Sequence, residues 1–423
     1  SGPLALLKKL RGSKKSQKAH SGAKQMAMLR RLPRILKFIP GTAQDVRAYF
    51  LCMQYWLAGS EENIYNLVAL SVSRYADGER KAYRSLLDVG EPIVYPDTGV
   101  YHPKLKNRVA ETLKDLPRPP KDATGTVGLL VMRSYILAGN SNHYDAVIAS
   151  LEAKGMRVIT AFAAGLDARP AVERFFMNGD QPTVDAVLSL TGFSLVGGPA
   201  YNDAKAAEEM LAKLDVPYIA AHATEFQSLE SWQESNTGLL PIETTLMVAI
   251  PELDGATGPT LFAGRSEAAT GTNGRDMQPH DERIDAMTSR VARLVRLRRA
   301  ERKERRIAVV LFNFPPNGGA LGTAAHLSVF KSLYNTLEAM AAAGYDVDVP
   351  DDADALRRAV LEGNASQYGT EANVQARISA DDHVRKETWL EQIEKEWGPA
   401  PGKQQSDGSS IHVLGAQFGN VFV

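Results

Sequence analysis

The feature that most constrains the fold is a strand–helix–strand rhythm that begins at residue 126 and later restarts. TVGLLVM (126–132) and RVITAFA (157–163) are apolar runs typical of buried strands, and HYDAVIASLEAKG (143–155) between them has helical spacing. Strands joined by a helix in this way pair in parallel through a right-handed crossover. The rhythm restarts at RIAVVLFNF (306–314) and runs through a helix to a predicted strand at YDVDV (345–349). The sequence therefore predicts an α/β fold with two doubly wound, flavodoxin- or Rossmann-like parallel-sheet lobes.

The chain before these lobes has a different character. TAQDVRAYFLCMQYWLAG and SEENIYNLVALSVSRYA each have the capping residue and apolar spacing of a helix, whereas residues 88–124 are rich in proline. The predicted domains are a basic flexible lead-in (1–25), a helical neck with its proline-rich connector (26–124), a first α/β domain (125–283), a connecting helix (284–306) and a second α/β domain truncated at its C-terminal end (307–423).

Composition and charge exclude several classes of protein. The 49 basic and 49 acidic side chains give a formal charge of zero, which disfavours a nucleic-acid-binding protein. No apolar stretch approaches the roughly 20 residues that cross a bilayer, so no transmembrane segment is predicted. The single cysteine, Cys52, rules out an internal disulfide framework and suits a reducing compartment. We therefore expect a cytoplasmic protein, with peripheral association with a membrane left open.

The glycine-rich loop at 312–330 is the first candidate for a binding site, because it follows a predicted strand and precedes a predicted helix. A phosphate-binding loop needs a lysine directly after its last glycine, but here no lysine follows Gly322 until Lys331. Gly318 and Gly319 are adjacent, so the dinucleotide-binding pattern also fails. We therefore expect that this loop does not bind ATP.

Three loops are expected at the carboxyl ends of the predicted strands, where doubly wound folds bind ligands. They combine glycines, an aromatic ring and neutral polar groups, which suits a large, flat, mostly apolar ligand better than a phosphate ester. These residues also have alternative structural roles. The histidines could cap helices, the glycines could form turns and the phenylalanine could fill the core. The eight histidines show no metal-binding spacing, so no metal site is predicted. The candidate ligand-binding residues are Asn140 and His143 in the first loop, Thr191, Phe193, Gly197 and Gly198 in the second, and Asn317, Gly318, Gly319 and His326 in the third.

Longer phrases of the sequence are informative when they are taken together. In chain order, they are SLTGFSLVGGPAYNDAKAAEEMLAKLDVPYIAAH, IPELDGATGPTLFAGR, FPPNGGALGTAAHLSVF, EWGPAPG and GAQFGNVFV. These phrases resemble the family that contains the large subunits of magnesium chelatase and cobaltochelatase, and the resemblance runs from about Met26 to Val423. YDAVIASLEAKG and GLDARPAVERFF are most similar to the bacteriochlorophyll-making version. Family members are much longer, with a head domain before this region and a large carboxyl-terminal half after it.

The resemblance implies a porphyrin-binding catalytic subunit that inserts Mg²⁺ into protoporphyrin IX during bacteriochlorophyll biosynthesis. It implies Mg²⁺ as a substrate, and ATP that is used by two ATPase-family partner subunits. The alternatives are the cobalt-inserting large subunit and a non-catalytic, two-lobed small-molecule binding module.

Insertion removes two pyrrole protons, so a general base must lie near the ring. The family's histidine and glutamate candidates for that base fall in a stretch beyond Val423, so the catalytic residues are expected there. Ser1 in place of methionine and the strand-like end at 421–423 likewise lead us to expect a piece of a longer chain. We expect that such a piece has no chelatase activity by itself.

Overall fold

The structure is a computed structural model that describes residues 32–106, 108–198, 200–267, 276–312 and 327–423. The chain divides into two compact units, one ending at Arg296 and the other beginning at Leu297. The domain boundaries given above stay predictions. Within the described ranges, no helix is both long enough and apolar enough to cross a membrane.

A pair of helices, α1 (Ala43–Ala58) and α2 (Glu61–Tyr75), precedes the sheet of the first unit. Gly59 ends α1 in the left-handed conformation, with φ 65°, which glycine adopts without a steric penalty. Ser60 then starts α2, because its hydroxyl oxygen accepts the backbone N–H of Asn63. The helices enclose a small core made of Ala48, Leu51, Tyr55 and Leu70.

An eight-stranded sheet with helices on both faces fills the rest of the first unit. Three short helices follow the fourth parallel strand, and a π-helical turn, Thr244–Ala249, joins the second of them to the third. The elements in chain order are β1 (Thr98–Tyr101), β2 (Val109–Ala110), β3 (Gly125–Met132), α3 (Arg133–Leu137), α4 (Asn142–Ala153), β4 (Met156–Ala163), α5 (Arg169–Phe175), β5 (Met177–Asn178), β6 (Gln181–Pro182), β7 (Ala186–Ser189), β8 (Gly197–Gly198), β9 (Tyr201–Asn202), α6 (Ala204–Leu214), β10 (Tyr218–Ser228), α7 (Leu229–Glu234), α8 (Pro241–Glu243), α9 (Ile250–Leu253), β11 (Thr257–Arg265), β12 (Met277–Pro279) and α10 (Asp281–Arg299).

The strand order of this sheet is β12–β11–β10–β7–β3–β4–β1–β2. The five strands from β11 to β4 are parallel, and the antiparallel strands β12, β1 and β2 lie at the two edges. The parallel strands follow the 2-1-3-4-5 order of flavodoxin-like folds, so the predicted α/β class is confirmed. In this order the direction of strand addition reverses between β3 and β7, which makes that gap the switch point of the sheet.

Two cores form because the side chains of β3 alternate between the faces of the sheet. Val127, Leu129 and Val131 pack against α4 and α10 on one face. Leu130 packs with residues of α5 and α6 on the other face. The apolar stripe of α10 is fully part of the first core, so this helix covers the sheet as well as leading into the next unit.

In its described residues, the second unit has two small sheets and its own apolar core. Leu333 and Leu337 on one helix pack against Leu356 and Val360 on the next, and Phe418 and Val421 complete the core. The elements in chain order are β13 (Ile307–Ala308), α11 (Val329–Ala342), α12 (Ala353–Leu361), α13 (Ala365–Tyr368), β14 (Val374–Ser379), α14 (Ala380–Lys386), α15 (Leu390–Trp397), β15 (Ser410–Leu414), β16 (Gln417–Phe418) and β17 (Val421–Phe422).

The second unit departs from the predicted doubly wound sheet. Among its described residues, parallel pairing is limited to β13 with β17, whereas β16–β17 and β14–β15 are antiparallel. The strand expected at 345–349 is not formed. Its polar atoms are used on a turn instead: the Asp348 carboxylate accepts the Gly419 N–H at 3.0 Å, and the Asp346 carbonyl accepts the Asn420 N–H at 2.9 Å. One aspartate carboxylate and one backbone carbonyl therefore hold a turn where the periodicity indicated a strand.

Candidate functional site

A narrow cleft opens at the switch point of the large sheet. Its walls are the carboxyl ends of β3, β4 and β7 and the two loops that follow β4 and β7. The cleft encloses about 20 Å³, enough for about one water molecule. Most of its lining is apolar, with Ser189, Thr191 and Ser194 as the polar members. In the conformation described here, the cleft is therefore closed to a large ligand.

The two loops are held together by backbone hydrogen bonds across the cleft. Gly197 N–H donates to the Leu166 carbonyl at 2.8 Å, and Ala168 N–H donates to the Leu195 carbonyl at 3.0 Å. A Cβ on Gly198 would collide with the Leu166 side chain, and one on Gly197, which has φ 125°, would collide with the Tyr201 carbonyl. Both predicted glycines thus permit close approach between protein segments.

Thr191 and Phe193 line this cleft, as their position after a strand predicted. The Thr191 hydroxyl lies 3.1 Å from the Ser189 hydroxyl and accepts the Phe193 N–H at 3.3 Å, so it stabilises its own turn. Phe193 is half-buried, which leaves part of its ring available. Of the described candidates, Phe193 has the side chain best suited to contact a flat ligand.

Asp254 is a cleft-supporting residue that the sequence reasoning missed. It is only 2% exposed, and its carboxylate accepts the Leu195 N–H at 2.7 Å, which anchors the loop that carries Phe193. The second carboxylate oxygen has no hydrogen-bond partner among the described residues. Burial raises the pKa of Asp254, while Ser194 and the Leu195 N–H oppose that rise. The signal lay in IPELDGATGPTLFAGR, where an acidic residue precedes a glycine and a buried strand.

His143 lies away from the cleft, in the core that α4 and α10 cover. It is 1% exposed, and its ring packs on Tyr144, Phe262 and Tyr135. Burial lowers the pKa of His143 to about 3, so the ring is neutral near neutral pH. Ser141 occupies the position that precedes α4, so His143 does not provide the helix cap. A direct contact between His143 and a ligand would require this aromatic cluster to open.

Of the remaining candidates, Asn140 stabilises a loop, and the other four lie outside the described residues. Asn140 accepts the Met277 N–H through its side-chain oxygen at 2.8 Å, which ties the loop after α3 to the edge strand β12. Asn140 does not line the cleft. Asn317, Gly318, Gly319 and His326 lie outside the described residues.

A buried polar cluster forms at the carboxyl end of β10. The Glu243 carboxylate accepts hydrogen bonds from the Thr224 hydroxyl, the Gln227 amide and the Leu240 N–H, the last at 3.1 Å. Neither ring nitrogen of His222 has a hydrogen-bond partner in the described part of the chain. Burial lowers the pKa of His222 to about 4, although Glu243 acts in the opposite direction. Across the described residues, no group of three or more His, Cys, Asp or Glu is placed to hold a metal ion.

Two substitutions of Asp254 should distinguish the contribution of its hydrogen bond to stability from the contribution of its charge. Asp254→Ala leaves the buried Leu195 N–H unpaired and should lower the free energy of unfolding by about 1–3 kcal/mol. Asp254→Asn keeps an acceptor oxygen and should cost less. Because the folded-state pKa is raised, the parent should lose stability as pH rises from the ordinary aspartate range through that pKa, and the Asn variant should not. Urea unfolding across this pH range measures both effects; equal losses in the two variants would contradict the anchoring role.

His222→Leu should make the protein less sensitive to acid. The folded-state pKa of about 4 lies below the ordinary value of 6.5, so stability is present above pH 6.5 and is lost as pH falls toward 4. One such group contributes about 1.4 kcal/mol per pH unit within that window. Thermal unfolding of parent, His222→Leu and the half-buried control His280→Gln at pH 7 and pH 5 measures this. An unchanged pH dependence in His222→Leu would contradict the assignment.

Comparisons with known proteins show which family the chain belongs to. The family model described as CobN/Magnesium Chelatase matches residues 53–423, and a domain of unknown function, DUF3479, matches residues 1–50. The H-type magnesium-chelatase subunit of Cereibacter sphaeroides is 54% identical over 100% of this chain and 36% of its own length. The chloroplastic magnesium-chelatase subunit ChlH of Oryza sativa subsp. indica is 38% identical over 94% of this chain and 29% of its own length.

A solved structure shows the same fold. The catalytic subunit of cobaltochelatase from Mycobacterium tuberculosis matches with a TM-score of 0.64 at 23% identity, covering 89% of this chain and 30% of that chain. The chain thus spans about a third of the length of these larger proteins. Because the family model matches nearly all of its sequence, the chain belongs to the CobN/magnesium chelatase family.

Proposed function

We propose that this chain is part of the porphyrin-binding catalytic subunit of a magnesium chelatase, which inserts Mg²⁺ into protoporphyrin IX for bacteriochlorophyll synthesis. The observation that carries this proposal is the 54% identity, over the whole chain, to the H-type magnesium-chelatase subunit of Cereibacter sphaeroides. The chain spans 36% of that relative, so the complete activity would belong to a larger protein.

The reaction exchanges two pyrrole protons for one Mg²⁺ ion, and both the ion and the porphyrin are substrates. Mg²⁺ holds its waters tightly and prefers oxygen ligands, so its transfer to four ring nitrogens is costly. We propose that two ATPase-family partner subunits use ATP to offset this cost. The missing phosphate-binding lysine in the 312–330 loop supports ATP binding on the partners. We also propose a cytoplasmic location, as the single cysteine suggested.

The cleft at the switch point is the proposed contact of this chain with the porphyrin. Its apolar walls and the partly exposed Phe193 ring suit a flat macrocycle, and Thr191, Gly197 and Gly198 shape the same loop. Since the enclosed space is about 20 Å³, the ring could enter only after the two loops separate. That opening would break the two backbone hydrogen bonds between residues 166–168 and 195–197. Asn140 and His143 would then act indirectly, by supporting the fold.

A chimera tests the function. This chain replaces the corresponding segment of the Cereibacter sphaeroides protein, and the product is assayed with both partner subunits, ATP, Mg²⁺ and deuteroporphyrin. We expect fluorescence of Mg-deuteroporphyrin that depends on ATP. Insertion of Co²⁺ but not Mg²⁺ would support the cobalt-inserting alternative. A folded chimera that binds deuteroporphyrin but inserts neither metal would support a binding module.

Phe193→Ala should weaken deuteroporphyrin binding by the full 423-residue chain. Stacking on an aromatic ring contributes about 0.5–1.5 kcal/mol beyond area burial, so the Kd should rise several-fold. Phe193→Tyr keeps the ring and should bind like the parent. Phe226→Ala is the control, because Phe226 is an exposed ring of the same unit that lies outside the cleft. Equal affinities for the parent and Phe193→Ala, with folding checked by circular dichroism, would remove the cleft from the porphyrin site.

A further inference from the structure

A larger groove lies in the helical neck and shares no residue with the cleft. Its volume is about 760 Å³, within the roughly 300–1,000 Å³ range of small-molecule sites. Its lining includes five apolar side chains and three cationic ones. The apolar side chains are Pro33, Phe38, Leu51, Pro92 and Val94, and the cationic ones are Arg34, Lys37 and Arg47.

The wall formed by the connector, residues 91–94, is fixed by hydrogen bonds to both neck helices. Asn63 bonds the backbone of Ile93 in both directions, at 3.0 Å each. Gly90 is held in the same way: its N–H donates to the Asn66 side chain at 2.7 Å, and its carbonyl accepts the Tyr55 hydroxyl at 2.5 Å. The connector that carries Glu91 and Val94 therefore has a defined position next to the helices.

The third wall, residues 33–38, is tied to α1. The Gln44 amide donates to the Leu36 carbonyl at 2.8 Å and to the Ile39 carbonyl at 2.6 Å. Arg47 donates its Nε–H to the Pro33 carbonyl at 3.2 Å. Arg47 and Leu51 are four residues apart on α1, so they line the groove from one face of that helix. All three walls are thus braced by specific contacts.

The groove combines exposed apolar surface with a positive charge. Phe38 is 84% exposed and Val94 is 57% exposed, although both are apolar. In the described part of the chain, neither Arg34 nor Lys37 forms an ion pair with a carboxylate. Glu91 is the one acidic side chain of the lining, against three cations. The groove therefore attracts anions, and its apolar side chains favour a molecule with an apolar body.

We propose that this groove binds a flat, apolar molecule that carries at least one carboxylate. The ring system would lie against Phe38 and Val94, and the carboxylate would pair with Arg34 and Lys37. This site is separate from the cleft and does not depend on the proposed chelatase activity. A porphyrin with propionate side chains is one molecule of this class, and a smaller aromatic carboxylate is another.

This proposal can be tested by fluorescence titration of the full chain. The three ligands are pyrenebutyrate, the uncharged pyrenebutanol and deuteroporphyrin. Arg34→Gln/Lys37→Gln removes two groove cations, and Arg80→Gln/Lys81→Gln removes two exposed cations of the same unit outside the groove. Exposed ion pairs are weak, so the groove pair should weaken pyrenebutyrate binding about five-fold. The control pair should leave it unchanged, and pyrenebutanol should bind all variants alike. Phe38→Ala should weaken both pyrene ligands.

The outcomes separate this site from the cleft. If both double variants bind pyrenebutyrate like the parent, or lose the same affinity, the groove proposal is overturned. If pyrenebutyrate follows the expected pattern while deuteroporphyrin does not bind at all, the groove proposal stands and the cleft is not a porphyrin site of this chain. If deuteroporphyrin binding is weakened by Phe193→Ala and pyrenebutyrate binding is unchanged in the groove variants, the cleft proposal stands and the groove proposal fails.

Discussion

Strand β3 lies at the centre of an eight-stranded sheet and is buried on both of its faces, and the first unit is organised around that burial. Val127 and Leu129 need a helical cover on one face, which α4 and α10 provide, while Leu130 needs another on the opposite face, which α5 and α6 provide. Parallel strands can be joined only by crossovers over these faces. The carboxyl ends of five strands consequently meet along one edge, and the cleft lies at the gap in that edge where the strand order reverses.

The same burial determines the chemistry of the polar groups near that edge. Asp254, His222 and His143 are removed from water, so the neutral form of each is favoured and the pKa of each moves accordingly. Asp254 uses its position to anchor the loop that carries Phe193. The two histidines add apolar volume at neutral pH but carry a stability cost in acid. Asp254 therefore fixes one wall of the cleft, and opening the cleft requires the two backbone hydrogen bonds between its loops to break.

The cleft and the neck groove are two proposed binding sites of the first unit, and they differ in charge and accessibility. The cleft is closed, mostly apolar and placed by the topology of the sheet. The groove is open, carries a net positive lining and is placed by hydrogen bonds between two helices and an irregular connector. The positive charge of the open groove attracts an anionic ligand at long range, and salt screens that attraction. The closed apolar cleft instead binds a ligand through contacts that form after water has left both surfaces. The two sites are thus expected to differ in their response to ionic strength.

The sequence by itself determined the α/β class and the parallel strands of the first unit, because apolar periodicity is local. It did not indicate β1 and β2, which lie in the proline-rich stretch 88–124 and pair at one edge of the sheet. The same reasoning put Thr191 and Phe193 in a loop at the carboxyl end of a strand, and the ordered phrases indicated the family. Only the tertiary structure decided what depends on distant partners. Asp254 reaches Leu195 across 59 positions, and His143 is buried by Phe262 from another strand. Residues 345–349 have strand periodicity, yet they hold the 418–420 turn, since their partners for hydrogen bonding are set by the fold.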